Sequence, residues 1–176
     1  MLMYKKVFVL FALLTSACWV NAQRASYPAP KGWINDFAQV LSTKDSLSLD
    51  SLARACMQSI NTLDTAFGLQ IAVVSVTDSM MGEYKDMLPY ATALSNSWGV
   101  GVKGSNNGVM IAFCAERKLL AIATGTTMQN LLTDKRCQTI LDGILFPTFR
   151  KQNYAIGLSL ALREIEHELR ELLTQK

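Results

Sequence analysis

Residues 98–125 read WGVGVKGSNNGVMIAFCAERKLLAIATG, and the fold turns on how they are read. Residues 109–115 are an unbroken apolar run between Gly108 and Glu116-Arg117. A half-exposed strand alternates apolar with polar residues, so an unbroken run predicts a strand covered on both faces. Residues 119–124 follow after too few residues for a crossover helix, and the two segments are expected to pair antiparallel as a hairpin. The glycine-rich loop before them is polar and anchored to that pair, which makes it the first place to look for function.

Upstream, residues 69–76 (LQIAVVSV) are rich in β-branched side chains and predict a central strand. Residues 78–82 read as a turn. Residues 83–97 read as a helix with Tyr84, Leu88, Ala91 and Leu94 on one stripe, in which Pro89 marks either a kink or the true start. Further back, Ser42 with Asp45 three residues on has the look of a helix cap. Leu49, Leu52, Cys56, Ile60 and Leu63 then recur at helical spacing over 43–63. Residues 32–37 set aromatics on either side of Asn35-Asp36 and read as an anchored loop. Downstream, residues 134–145 predict a third helix stopped at Pro147. Residues 154–173 predict a last helix with Ile156, Leu160, Ile165, Leu169 and Leu172 facing inward. This order of elements is that of an α/β fold: a three-layer α/β/α sandwich, one mixed sheet flanked by helices. The connection from the first strand to the hairpin is expected to be a right-handed crossover if those strands lie parallel.

The first 22 residues stand outside that domain. Lys5 and Lys6 precede an apolar stretch over 7–14, and Val20-Asn21-Ala22 offers small residues for cleavage. This is the pattern of a signal peptide cut after Ala22, and the apolar run falls short of the roughly 20 residues that span a bilayer. Cleavage before Cys18, giving a lipoprotein, is the less favoured alternative because no aliphatic residue stands three places before it. The mature chain is thus expected in the periplasm or secreted, with residues 23–31 an extended, mobile entry around Pro28 and Pro30. Residues 32–176 are expected to form a single domain, without a transmembrane segment after it. The net charge of +3, less the two leader lysines, leaves +1, which gives no argument for nucleic acid. Cys56, Cys114 and Cys137 remain, without CxxC spacing, and no bridge is expected. Cys114, inside the apolar strand, reads as a small buried hydrophobe.

Most familiar chemistry is missing. Residues 99–104 match GxGxxG, but they follow a predicted helix and precede a strand, the reverse of a dinucleotide site. No GxSxG elbow, HExxH or paired-cysteine zinc spacing occurs. The single histidine, His167, sits among Arg163, Glu164, Glu166 and Glu168 and reads as a solvated helix residue. Oxygen donors remain: Asp36, Asn106, Asn107, Gln129 and Asp134 fall near loop ends or helix starts, and hard cations take such oxygens. Each also has a structural explanation. Asn107-Gly108 suits a turn needing positive φ, and Asp134 suits the first turn of a helix.

The segment 34–38 with Leu41, the Trp98-Gly99-Val100-Gly101 loop with Lys103-Gly104 and Asn107-Gly108-Val109, and Arg117, Gly125, Leu132 and Asp134 resemble the TPM-domain family, as do Pro147, Phe149, Tyr154 and Gly157. The resemblance implies an α/β/α sandwich in extracytoplasmic proteins, with a divalent-metal site, usually calcium, beside the loops. It implies an acid phosphatase activity attributed to a plant member, accessory roles in other members, and a LemA-type membrane protein as candidate partner. This chain departs from the pattern in two places. Asn106-Asn107-Gly108 stands where the family often has Asp-Asn-Gly. Gly125-Thr126-Thr127-Met128-Gln129 stands where it often has Gly-Tyr-Gly-Leu-Glu. Two acids are therefore amides, and calcium affinity follows the count of charged ligands. The candidate binding loop is Trp98, Gly99, Gly101, Asn106, Asn107, Gly108, Gly125 and Gln129. The candidate metal donors are Asp36, Asn107 and Asp134, for calcium or another divalent cation held weakly or not at all. The expected function is that of an exported envelope accessory or binding domain without catalysis. The alternative is a metal-assisted acid phosphatase working through Asp36 and Asp134.

Overall fold

The computed structural model describes Ala25 and residues 27–175; the leader, its cleavage site and Cys18 lie outside them. The chain runs β1 (Ile34–Asp36), α1 (Thr43–Leu63), β2 (Gln70–Ser75), α2 (Asp78–Met81), α3 (Met87–Trp98), β3 (Gly108–Cys114) and β4 (Leu119–Thr124). A 3₁₀ turn (Met128–Asn130), α4 (Asp134–Ile140), a π-turn (Leu141–Leu145), α5 (Phe146–Phe149) and α6 (Tyr154–Thr174) complete it. The sheet order is β1-β2-β3-β4, with β1, β2 and β3 parallel and β4 antiparallel to β3. The fold is the expected three-layer sandwich.

Strand periodicity shows how the layers divide. Successive side chains point to opposite faces, so Ile71, Val73, Val109, Ile111, Phe113 and Ile122 join a core with α1, α4 and α6. Ala72, Val74, Met110, Ala112, Ala121 and Ala123 join a second core with α2 and α3. Every residue of β3 is buried, as its unbroken apolar run predicts. The alanines on the second face are small enough to let Ala91 and Leu94 of α3 approach the sheet closely.

Several local expectations need correction. Residues 34–36 form a strand, not a loop, because their backbone pairs with residues 73–75 of β2. The described part of the entry segment is tied down: Trp98 Nε1 donates to the Pro28 carbonyl at 2.6 Å, the Tyr27 and Tyr84 hydroxyls lie 2.9 Å apart, and Lys31 N donates to Asn35 Oδ1 at 2.7 Å. The expected turn at 78–82 contains α2. Pro89 marks a start: α3 begins at Met87, so the proline falls in the first turn, where its missing N–H is not needed. Tyr90, not Leu88, faces the core.

Pro147 does not stop the helical stretch after Asp134, which continues through α5. A proline there has no N–H for the Gly143 carbonyl and its ring crowds that carbonyl; the wider π-turn immediately before it accommodates both. In α6 the inward stripe is Gly157, Leu158, Ala161, Leu162, Ile165 and Leu169, while Ile156 and Leu160 are 56% and 47% exposed. Cys56, Cys114 and Cys137 are free and buried. No helix among the described residues is long and apolar enough to cross a membrane.

Candidate functional site

The glycine loop lies at the N-terminal end of β3, and left-handed backbone or close packing accounts for its glycines. Gly99 caps α3 in left-handed backbone, with φ of 65°. A Cβ on Gly108 would stand 2.1 Å from the Val100 carbonyl oxygen, and one on Gly125 would stand 2.1 Å from that of Asn106. Gly101 donates its N–H to Gln70 Oε1 at 2.8 Å, and Gly125 N donates to the Gly108 carbonyl at 2.9 Å. Three chain segments thus meet backbone to backbone. Trp98 is occupied by Pro28 and packs edge-on to Phe37, with ring centroids 6.4 Å apart. Asn106 and Gln129 are exposed on this end, and Gln129 N bonds the Gly125 carbonyl at 3.1 Å. Asn107 is buried; its Nδ2 donates to the Phe67 carbonyl, while its Oδ1 has no partner among the described residues.

The proposed metal donors are not brought together. Asp36 pairs in register with Ser75, and Gly108 with Gln70, so Asp36 and Asn107 stand at opposite ends of the parallel strands. Five residues of strand separate those levels, about 17 Å at roughly 3.3 Å per residue. Asp36 is also already used: Oδ1 accepts from Val40 N at 3.1 Å and from the Ser75 hydroxyl, and Oδ2 accepts from Leu41 N at 2.8 Å. Asp134 is exposed in the first turn of α4, beside the Thr133 cap, where a negative charge favours the helix. The orphan Asn107 Oδ1 is one neutral oxygen, and a hard divalent cation needs several, some of them charged. Asp36, Asn107 and Asp134 therefore do not fit a shared calcium ion. Among the described residues, no three His, Cys, Asp or Glu side chains cluster as metal ligands.

A cleft of about 430 Å³ opens at the opposite end, beyond the C-terminus of β3. Open α/β sheets place ligands at that end of their parallel strands. Phe146, Phe149 and Tyr154 line it, together with Lys118, Arg150 and Gln152. The rings support one another: Phe113 to Phe149 is 4.8 Å and Phe149 to Tyr154 is 5.0 Å between centroids. Cys114 borders it but belongs to the second core, where burial pushes its thiol up. The nearby Glu116 accepts from Asp78 N at 3.1 Å, and Arg117 binds Asp78 and the Tyr84 carbonyl. Sequence reasoning missed this cleft. Phe149 and Tyr154 were visible only as part of a family pattern, and nothing local joins them to Lys118.

A mixed sheet between two helical layers, closed by a packed glycine loop at one end and open in a cationic cleft at the other, defines a small α/β/α sandwich domain. The TPM domain matches residues 34–168, and the chain belongs to that family. It is similar to the N-terminal domain of a protein from P. gingivalis, solved in solution by NMR. The two share 25% identity over 81% of this chain and 84% of that one, with a TM-score of 0.65. It is also similar in fold to the N-terminal domain of the cg2496 protein from Corynebacterium glutamicum, at 14% identity, over 82% of this chain and 86% of that one, with a TM-score of 0.54. No protein of curated function matches.

Proposed function

We propose that this chain is an exported TPM-domain binding module of the cell envelope, acting by docking onto another envelope component and not by catalysis. The observation that carries the reading is Asp36, the acid best placed for chemistry by sequence. Its carboxylate holds the turn after β1 through Val40 N, Leu41 N and Ser75, which leaves it engaged as a structural cap. A phosphomonoesterase working through the expected donors would gather them around one metal, and Asp36 and Asn107 lie at opposite ends of the sheet. The basic and apolar start of the leader supports export, and the family resemblance supplies a LemA-type membrane protein as the candidate partner.

The test pairs two measurements. Titration of the purified domain against the soluble part of a LemA-type protein from the same organism should show saturable binding. A phosphomonoester assay with and without calcium or magnesium should show no turnover above buffer. Turnover that disappears in Asp36→Asn while the variant keeps its melting temperature would establish the phosphatase alternative instead.

A further inference from the structure

The cleft beyond β3 lies at the sheet end opposite the glycine loop; Asp36 stands at the same end as the cleft, in register with Phe113 through Ser75, but does not line it. Its volume of about 430 Å³ falls within the roughly 300–1,000 Å³ usual for small-molecule sites. No carboxylate lines it, and neither Lys118 nor Arg150 forms an ion pair among the described residues. Two cations therefore face the same hollow with no opposing charge in its lining. Lys118 and Gln152 both hold left-handed backbone, with φ of 56° and 59°. Both close tight turns, Lys118 N donating to the Ala115 carbonyl at 3.2 Å and Gln152 N to the Phe149 carbonyl at 2.9 Å, which fixes the backbone from which these side chains rise. The aromatic wall is preformed, since Phe149 and Tyr154 are fixed by each other and by Phe113.

We infer that this cleft binds a small organic anion with an aromatic or aliphatic body, its head taken by Lys118 and Arg150 and its body by Phe149 and Tyr154. Charge alone would leave the head solvated and weakly held, and the rings alone would not distinguish an acid from its neutral analogue. Together they require a molecule that carries both features.

The test is calorimetric titration of the folded chain with three naphthalenes that share one ring system: naphthalene-2-carboxylate, 2-naphthyl phosphate and the neutral 2-naphthol. Both anions should bind one to one, with 2-naphthol at least about tenfold weaker. Arg150→Gln and Lys118→Gln, both at exposed positions, should each weaken the anions by about threefold to fivefold and leave 2-naphthol unchanged. Amide shifts on binding should centre on Lys118, Gln152 and Tyr154. The inference is overturned if 2-naphthol binds as tightly as the carboxylate, or if neither anion saturates by millimolar concentration. Anion affinity indifferent to both substitutions, in variants that keep the parent melting temperature, overturns it equally.

Discussion

Ser75 donates its hydroxyl to the carboxylate of Asp36 across the β1–β2 register, and the same carboxylate takes the backbone N–H groups of Val40 and Leu41. An amide at this position would turn an acceptor oxygen into a donor facing another donor, leaving partly buried groups unpaired at about 1–3 kcal/mol. Asp36→Asn should therefore lower the unfolding free energy by about 1–2 kcal/mol in urea. A metal or substrate ligand at Asp36 makes the opposite forecast, with stability unchanged and activity lost. The denaturation midpoint decides between them.

Gly108 and Gly125 allow a second contrast. In each, a methyl group would meet a carbonyl oxygen at 2.1 Å, and backbone on both sides cannot turn away as a side chain could. Gly108→Ala and Gly125→Ala should each cost about 2–3 kcal/mol or prevent folding. At Gly143, in the π-turn, an added Cβ meets nothing within 4 Å, so Gly143→Ala should be neutral or stabilise by up to about 1 kcal/mol. A glycine loop serving only to cradle a ligand would tolerate Gly108→Ala and lose binding alone. Thermal melts of the three variants separate the two roles.

The parts of the fold legible in the sequence are those fixed over short distances. The hairpin of β3 and β4 is one, since its apolar run, turn and partner strand are adjacent, and β4 falls on residues 119–124 as read. The Ser42 cap of α1 is another; its hydroxyl accepts from Asp45 N. β1 was hidden because three residues carry no periodicity, and Asp36 becomes strand only through Ser75, 39 positions away. With β1 unread, nothing could place Asp36 at the end of the sheet away from Asn107. In α6 two stripes satisfy the helical period. The larger residues Ile156 and Leu160 stay outside because Gly157 sits against Thr148 and Phe149, where a Cβ would come within 2.2 Å of the Thr148 hydroxyl. The cleft was invisible for the same reason as β1: Lys118, Arg150 and Tyr154 meet only in three dimensions.

Calcium gives a third prediction. A site of about 10 μM dissociation constant would stabilise the fold by about 2.7 kcal/mol in 1 mM calcium, a hundredfold excess over that constant. For a chain of this size that raises the melting temperature by roughly 5–10 °C. With Asp36 engaged in its turn, Asp134 exposed on α4 and Asn107 offering one neutral oxygen, the expected shift is under about 1 °C. Calorimetry should find no micromolar site. A shift of several degrees that is abolished in Asn107→Ala would place a metal in the glycine loop after all.

The pH profile of stability should carry the signature of one cluster between α1 and α6. Burial pulls the Glu166 carboxyl up, but hydrogen bonds from Ser59, Cys56 and Arg170, with the charge of Arg170, outweigh it and hold the group below its ordinary value of 4.5. A carboxyl that ionises more readily when folded contributes stability that is complete above its unfolded value. That contribution is lost as pH falls through the folded value. Cys56 runs the other way: burial, then the neighbouring Glu166, pushes its thiol from 9.0 up to about 12. The unfolded thiol ionises first, so stability declines as pH rises above about 9. Burial likewise raises the Cys137 thiol to about 11, adding to that decline. Urea unfolding measured from pH 3 to pH 10 should therefore give a dome. Glu166→Gln should flatten its acid side, and Cys56→Ser, which keeps a donor for Glu166 but does not ionise, should soften its alkaline side. Parallel curves for the parent and both variants would mean that the cluster does not govern the profile.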